Sequence, residues 1–388
     1  MRKDWEYKKL GEVCINITDG SHTPPKGIDY SEFKMISSQN VFDDMLQITD
    51  ENVRFLTEEQ FIKENKRTNL CKDIVLLTIV GTIGRCCVLS GNEGSLTLQR
   101  SVAALKPNPE LLSRFLMYLL IGNRKKLENE ARGIAQKGVY LKQLSSLSVP
   151  IPPKSTQLAI VAELDKLNEM IRLKKQQLED YDQLAQSIFY EMFGDPVENE
   201  KGWEVKKLGE VCETSSGGTP SKTHTEYYEN GTIPWLRSGE VSQGYIYDAE
   251  IYISELGLNK SSAKIFPKDT VLIAMYGATV GEVGILCNPM CTNQAICGIL
   301  PNDLYNSEFL RYVLLSHKDK YLSLASGGAQ PNISQQIIKS TLIPFIDKPL
   351  QQQFAARIEA IERQKQQVSE TIKDLETLLA SRMQYWFD

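Results

Sequence analysis

The chain has 388 residues, of which 41% are apolar and 24% charged, and its formal net charge is −5 at pH 7. This balance is ordinary for a globular protein of two or three domains, and it argues against a protein that coats DNA by bulk positive charge. The longest apolar runs, such as residues 74–80, are too short for a membrane span. Eight Cys residues, two of them adjacent, and an N-terminus without an apolar signal core predict a reducing cytoplasm.

The same order of segments occurs twice along the chain. WEYKKLGEVC at residues 5–14 returns as WEVKKLGEVC at residues 203–212. In each copy a loop rich in Gly, Ser, Thr and Pro follows, then short β-branched strands around a Gly-marked turn, and then a short helix. Each copy closes with a long stretch of good helix formers, and these two stretches begin 194 residues apart, at Lys154 and Lys348. The mixture of short strands and short helices predicts an α+β globular unit.

The two long stretches, Lys154–Phe193 and Lys348–Phe387, predict helices of about 55 Å. Their apolar residues recur at alternating spacings of three and four, so each helix carries one apolar seam. Two amphipathic helices on separate ordinary cores would show the same pattern, but this length favours seams that pair with each other. The predicted pairing positions are Leu164, Leu167, Ile171 and Leu178 in the first helix and Ile361, Val368, Ile372 and Leu375 in the second.

The predicted fold is α+β, with two similar globular domains separated by two long antiparallel helices that form a coiled coil. The duplication implies an internal pseudo-two-fold repeat. Antiparallel packing is favoured because each globular domain precedes its own helix, so a parallel pair would crowd both domains at one end. The predicted boundaries are 1–153 and 195–347 for the globular domains, and 154–194 and 348–388 for the helices.

Few residues are of the kind that carries catalysis. The three His residues do not align between the copies, and Cys287, Cys291 and Cys297 lack the spacing of a zinc site. We therefore predict no catalytic residue, no metal and no cofactor in this chain. The turns at Gly81 and Gly277 lack the GK[ST] of a phosphate-binding P-loop, so they are either plain turns or cradles for DNA phosphate.

DNA binding is better supported, because the loops diverge between the copies while the surrounding frame is kept. Gln, Arg, Lys, Ser and Thr are the side chains that read base edges or hold phosphates. A solvated polar loop is the simpler interpretation of any one of them taken alone. The candidates are Thr23, Lys26, Ser37, Ser38, Gln39, Thr82, Arg132, Gln136 and Lys137 in the first copy, and Thr219, Ser221, Lys222, Arg237, Ser238, Thr279, Gly328 and Gln330 in the second.

In these segments the chain resembles the specificity (S) subunits of type I restriction-modification systems. The resemblance is carried by WEVKKLGEV from 203 and its copy from 5, SGGTPSK from 216, IPWLRSGEV from 233, VLIAMYGATVG from 271 and GGAQPNIS from 327, together with the long helices. The first copy departs from this pattern, with DGSHTPPK and ISSQN at the corresponding places.

The resemblance implies that the two globular domains are target recognition domains, each of which reads one half of a bipartite, asymmetric site in double-stranded DNA. It implies that the long helices set the spacer and bind two methyltransferase (M) subunits, with restriction (R) subunits joining outside. S-adenosylmethionine, ATP and Mg would belong to those partners. The assembled complex would be an adenine-specific DNA methyltransferase and ATP-dependent endonuclease, while this chain would be non-catalytic.

Two other functions use the same features. A tandem-repeat protein–protein scaffold without DNA binding would need the duplication and the helices but not the polar loops. An enzyme acting on a phosphate ester would use the Gly-marked turns, but the missing P-loop Lys and the unaligned His residues count against it. Binding of duplex DNA in the presence of methyltransferase partners separates the first alternative from the DNA-specificity subunit.

Overall fold

The computed structural model describes residues 5–131, 138–326 and 331–387. The chain divides into two compact units, the first comprising residues 1–175 and 370–388 and the second residues 176–369. Each unit therefore contains one copy of the globular part together with a portion of both long helices.

The first copy alternates short strands with short helices and ends in the first long helix. In chain order its elements are β1 (Glu6–Lys9), α1 (Leu10–Val13), β2 (Cys14–Asp19), β3 (Lys34–Ile36), β4 (Val41–Phe42), β5 (Met45–Leu46), β6 (Arg54–Phe55), α2 (Glu58–Thr68), β7 (Val75–Thr78), β8 (Cys86–Val88), β9 (Leu96–Leu98), β10 (Val102–Pro107), α3 (Ser113–Gly122), α4 (Arg124–Glu130), α5 (Leu141–Ser146), β11 (Ser148–Ile151) and α6 (Lys154–Phe193).

The second copy follows a closely similar order and ends in the second long helix. Its elements are β12 (Val205–Lys207), α7 (Leu208–Val211), β13 (Thr214–Ser216), β14 (Ile233–Leu236), β15 (Tyr245–Ile246), β16 (Tyr252–Ile253), α8 (Glu255–Asn259), β17 (Ile265–Phe266), β18 (Val271–Ala274), β19 (Val283–Leu286), β20 (Met290–Thr292), β21 (Ile296–Ile299), α9 (Ser307–Ser316), α10 (Lys318–Leu324), α11 (Gln335–Lys339), β22 (Leu342–Pro344) and α12 (Lys348–Phe387). The α+β class and the two long helices are thus as predicted.

The first globular part is built around an antiparallel sheet in the order β2-β10-β7-β8. Successive side chains of a strand point to opposite faces, and both faces of this sheet are buried. Val75 and Leu77 of β7 belong to a core with α3 and the long helices, whereas Leu76 belongs to a second core with β3, β4 and β9. In β3-β9 the strands run parallel, Met35 opposite Thr97.

The second globular part repeats the plan with a five-stranded sheet in the order β13-β21-β18-β19-β15. Val271 and Ile273 of β18 pack towards α9 and the long helices, and Leu272 and Ala274 pack on the opposite face. A second sheet, in the order β16-β14-β20-β17, adjoins this opposite face and carries Trp235. The frame is therefore buried on both faces, and polar side chains are left to its loops.

A buried glutamine attaches each long helix to its own globular part. Gln157 near the start of α6 accepts a hydrogen bond from the Leu112 amide at 2.9 Å and donates to the carbonyls of Glu110 and Pro152 at 2.8 and 3.0 Å. Gln351 near the start of α12 makes the equivalent three bonds in the second unit, to Asn306, Leu304 and Ile346. Both side chains are fully buried, so these bonds satisfy backbone groups that water does not reach.

The long helices α6 and α12 pack together and run antiparallel. In the first unit Trp386 donates to the Glu163 carboxylate at 3.0 Å, and Lys175 donates to Glu376 at 2.8 Å. The later residue of α6, Lys175, therefore contacts the earlier residue of α12, Glu376, so the two helices run in opposite directions. The same order holds in the second unit, where Lys365 donates to Asp182 at 2.7 Å and the rings of Phe354 and Phe189 lie 5.5 Å apart.

The predicted seam positions lie on the packed faces of both helices. Seven of the eight are buried, and Leu178 is half-buried. Lys365, which interrupts the second seam, is one-quarter exposed and bridges Asp182 and Glu362 at 2.7 and 3.0 Å. The polar interruption is therefore satisfied by carboxylates from both helices, an arrangement that favours one register of the pair.

Replacing Ile171 with Asp tests the seam. Ile171 is 8% exposed, so a carboxylate there loses its water without gaining a partner, and we expect a loss of roughly 3 kcal/mol or more in the free energy of unfolding. Leu173→Asp is the matched control, since Leu173 lies on the same turn but is 52% exposed. Calorimetric melting should show a large loss for I171D only; equal melting temperatures for the two variants would contradict the pairing.

Candidate nucleic-acid interface

In the first unit, four loops meet at one edge of the sheets and form a surface that we call the first target surface: residues 20–26, 37–39, 80–84 and 99–101. The Ser21 amide donates to the Leu98 carbonyl at 2.8 Å, and the Arg100 amide donates to the Ser21 carbonyl at 3.0 Å. The Ser38 amide donates to the Ser101 hydroxyl at 3.0 Å. Loops that are far apart in sequence are thereby fixed beside one another.

The first target surface adjoins a cleft of about 490 Å³ that contains three basic side chains, His22, Arg67 and Arg100. The Asp19 carboxylate, whose side chain is 8% exposed, holds two of them: His22 lies at 2.7 Å and Arg67 forms an ion pair with it. Arg100 is exposed. A buried carboxylate that orients N–H donors at a polar surface is suited to presenting them to an anionic ligand.

In the second unit the corresponding loops, residues 217–222, 236–239, 276–280 and 292–295, form the second target surface. The Gly218 amide donates to the Thr292 carbonyl at 2.9 Å, and the Asn293 amide donates to the Leu236 carbonyl at 2.9 Å. The Thr219 hydroxyl donates to the exposed Gln294 side chain. The same edge of the frame therefore carries the polar loops in both units.

Trp235 anchors the Gly-rich loop of the second target surface. Its indole N–H donates to the Gly218 carbonyl at 2.9 Å from a side chain that is 3% exposed. A Cβ atom on Gly218 would lie 2.3 Å from the carbonyl carbon of Ser262, so the backbones approach closely only because this residue is Gly. The loop is thereby held by the core rather than by its own side chains.

The structure brings most of the predicted DNA-binding residues together on these two surfaces. Thr23, Lys26, Gln39, Thr82, Ser221, Lys222 and Arg237 are exposed, and Ser37, Ser38, Thr219, Ser238 and Thr279 are half-buried. Arg132, Gln136, Lys137, Gly328 and Gln330 lie outside the described residues. Two described residues lie close to these five in sequence. Gly138 forms an isolated β-bridge with Val80, and Asn332 forms one with Tyr276, so both approach the Gly-marked turns.

Several of these side chains are already engaged within the protein. Arg237 forms ion pairs with Glu240 and Glu250, and the Glu240 carboxylate is buried and also accepts from the Arg237 amide at 3.0 Å. Gln39 donates to the Asn52 carbonyl at 2.7 Å. Lys222 and Lys26 are exposed at the edges of their loops.

Sequence reasoning missed four exposed side chains at these surfaces, namely Arg67, Arg100, Tyr276 and Gln294. Gln294 carries a signal, because Gln99 occupies the matching place in the first copy. Arg67 lies in the last turn of helix α2, and its ion pair with Asp19 joins it to the first target surface. That contact spans 48 residues, so no local pattern predicts it.

The Gly-marked turns use their backbone amides internally. Gly277 has φ of +75°, and its amide donates to the Pro331 carbonyl at 2.8 Å. The amides of Gly281 and Gly84 donate to the carbonyls of Ala274 and Thr78. These three amides are therefore not directed at an external phosphate, which favours a structural role for the three glycines.

The Cys residues of the second unit pack as small apolar groups. Burial raises the pKa of the Cys291 thiol to about 11 and that of Cys297 to about 12, so both stay protonated at neutral pH. Across residues 5–131, 138–326 and 331–387, no group of three His, Cys, Asp or Glu side chains is placed to hold a metal ion. Over the same residues, no helix has the length and apolarity that crossing a membrane requires.

The duplicated frame with divergent polar loops defines a class of tandem α+β proteins with paired long helices. A family model described as the type I restriction modification DNA specificity domain matches residues 2–180 and again 200–377. The chain belongs to this family.

Two curated relatives are specificity subunits. The HindI specificity subunit of Haemophilus influenzae is 24% identical over 408 residues, which cover 84% of this chain and 86% of that subunit. The MjaIX specificity subunit of Methanocaldococcus jannaschii is 34% identical over 176 residues, which cover 43% of this chain and 40% of that subunit.

Two solved structures share the fold over the whole chain. The S subunit of a type I restriction-modification system from M. genitalium is 16% identical, with a TM-score of 0.55 over 100% of this chain and 98% of that one. A chain from a structure of complex assembly and conformational transition in the type I R-M system is 18% identical, with a TM-score of 0.59 over the same shares. At these identities the likeness concerns the fold.

Replacing Gly218 with Ala tests how the second target surface is held. The added Cβ atom would meet the Ser262 backbone, so we expect the loop to move and the free energy of unfolding to fall by about 1–3 kcal/mol. Gly239→Ala is the matched control, because a Cβ there meets nothing within 4 Å. Calorimetric melting should lower the transition for G218A alone, and an unchanged melting profile would show that the loop is not anchored as described.

Proposed function

We propose that this chain is the non-catalytic DNA sequence-specificity subunit of a type I restriction-modification complex. Each globular domain reads one half of a bipartite, asymmetric site in double-stranded DNA through its target surface. The observation that carries this proposal is one buried frame, present twice, with polar loops gathered at the same edge and different side chains at matching loop positions.

Comparison of the two loop sets separates two roles. Lys26 and Lys222 occupy matching places in the Pro-containing loops and are both exposed, which suits the sequence-independent task of holding phosphate. Ser37 and Arg237 also match in position but differ in chemistry. Positions that differ are suited to reading different bases, since sequence is read by side chains at base edges.

The reaction chemistry belongs to partner subunits in this proposal. Two methyltransferase subunits bind the long helices and nearby surfaces, and restriction subunits join outside them. S-adenosylmethionine, ATP and Mg are cofactors of those partners, and the assembled complex is an adenine-specific DNA methyltransferase and ATP-dependent endonuclease. Support comes from the family membership and from the relatives that are named specificity subunits.

The net charge of −5 is consistent with shared DNA binding. Phosphate neutralisation supplies much of the affinity of DNA-binding proteins. An acidic specificity subunit therefore relies on basic surfaces of its partners for much of the affinity of the complex for DNA. The scaffold alternative without DNA binding makes no use of the two target surfaces. Duplex binding by the assembled complex distinguishes the two functions.

Replacing Lys222 with Ala in the assembled complex tests the phosphate role. We expect the dependence of log affinity on log salt to become shallower by about one unit, with the defined bases unchanged. Lys268→Ala is the control, because Lys268 is exposed but precedes β18, whereas the second target surface lies beyond the other end of that strand. Fluorescence anisotropy over a salt series measures the slope, and the same slope for K222A and K268A would count against the role.

Insertion of one helical turn tests whether the helices set the spacer. Four residues added after Lys174 and four after Lys373 lengthen both helices by about 6 Å, and a four-residue insertion is a stutter that a coiled coil absorbs by slight unwinding. The undefined spacer of the site should lengthen by roughly one or two base pairs, at about 3.4 Å each.

The control for this insertion places the same four residues after Glu200, in the exposed turn that joins the two copies. Mapping methylated adenines in cells that carry the complex reads the spacer directly. The original spacer in an active double-insertion complex would contradict the role of the helices.

A further inference from the structure

The two units differ at one matched position beside their long helices. In the first unit α3 carries Arg114, and 194 residues later α9 carries Glu308. The guanidinium of Arg114 donates to Asp165 of α6 at 2.9 Å and to both oxygens of Asp44 at 2.8 and 2.9 Å. Tyr118 also donates to Asp165, at 2.6 Å. An arginine of the chain itself thus fills this position in the first unit.

The matching position in the second unit is an open cavity of about 1000 Å³. The two carboxylates that hold Arg114 have different counterparts in the second copy. Asp165 corresponds to Glu359, and Asp44 corresponds to Gly244. The cavity lies between α9, β15 and α12, and its lining includes Tyr245, Tyr247, Glu308, Ala355, Ala356 and Glu359.

Glu308 carries a carboxylate oxygen that lacks a hydrogen bond. Its Oε2 atom is inaccessible to solvent and has no hydrogen-bond partner among the described residues, while the side chain as a whole is 18% exposed. The nearest cation is Arg311, at 3.9 Å, and its guanidinium lies over the rings of Tyr245 and Tyr312. Burial raises the pKa of the Glu308 carboxyl. The Tyr245 side chain hydrogen-bonds to the same carboxyl group, so only Oε2 lacks a donor. A buried carboxylate oxygen without a donor is costly, so this position favours a cation that brings a further N–H group.

The other cations that line the cavity form ion pairs with residues other than Glu308. Lys365 bridges Asp182 and Glu362, and Arg363 is a mostly exposed side chain that pairs with Glu359 one turn earlier on α12 at 3.7 Å. Neither contact supplies a hydrogen bond to Glu308.

We propose that this cavity is the docking site for an arginine side chain presented by a methyltransferase subunit, and that the first unit is closed to the same contact because Arg114 occupies the matching position. The identity of the partner rests on the proposed function. The arginine stem packs on Ala355, Ala356 and the tyrosine rings, and its planar fork donates to the Glu308 carboxylate as Arg114 donates to Asp165 and Asp44. The two methyltransferase subunits are therefore held by unlike contacts.

Two substitutions at Glu308 in the full chain test this docking. Glu308→Gln removes the charge and should weaken association of one of the two methyltransferase subunits by at least tenfold, leaving the other unchanged. Glu308→Arg should fill the cavity from within, by pairing with Glu359, and leave a complex with one methyltransferase subunit while the chain stays folded. Asp319→Asn, an equal charge change on an exposed residue of the same unit, is the control.

Native mass spectrometry of a titration with the cognate methyltransferase subunit measures the stoichiometry, and melting curves of each variant confirm folding. Complexes of two methyltransferase subunits with unchanged affinity for both E308Q and E308R would overturn the docking site while leaving the proposed function intact. A wild-type chain that binds no methyltransferase subunit would overturn both.

A photo-crosslinking residue at Tyr247, which lines the cavity and is 68% exposed, identifies the group that enters. The crosslinked peptide should come from the methyltransferase subunit and contain an arginine, and E308R should abolish the crosslink. A crosslink that persists in E308R, or that joins a segment without arginine, would contradict the proposal.

Discussion

The join between each globular part and its long helix depends on one buried side chain, Gln157 in the first unit and Gln351 in the second. Each makes three hydrogen bonds to backbone groups of the segments before the helix, and each is fully buried. An amide with both its oxygen and its NH₂ satisfied by fixed backbone groups permits one orientation of the helix start. The direction in which each long helix leaves its domain is therefore set in the core rather than by a flexible linker.

A rigid frame of this kind leaves the loops free to change. The sheets are buried on both faces, and their side chains alternate between two cores in each unit. The target surfaces are fastened by backbone contacts, such as Ser21 with Leu98 and Gly218 with Thr292. Side chains on these loops carry little of the folding energy, so their chemistry is able to differ between copies without loss of the fold.

Sequence patterns predicted the elements whose signal is local or repeated. The long helices run from Lys154 to Phe193 and from Lys348 to Phe387, as composition and the absence of Gly and internal Pro predicted. The seam positions followed from the heptad, since its period states which side of a helix is buried. The order of the loops, repeated twice, predicted that they serve one surface in each copy.

The remaining features depend on contacts that no periodicity encodes. Gln157 and Gln351 look in the sequence like ordinary polar positions of a helix. The ion pairs of Arg237 with Glu240 and Glu250 form only once the loop is folded. Arg114 and Glu308 occupy matching helix positions, yet Arg114 is hydrogen-bonded to two carboxylates whereas Glu308 lines a cavity. Which residues touch DNA is a question of loop geometry in the complex, and it stays a prediction for all seventeen candidates.

The central claim is that the two copies read separate halves of one DNA site. Exchanging residues 15–150 for the matching segment of a relative with a known site, and mapping methylated adenines in cells that carry the partner subunits, tests this claim most directly. The account predicts that one block of defined bases changes while the other block and the spacer length stay as they were. Replacement of both blocks, or an active complex with neither block changed, would contradict it.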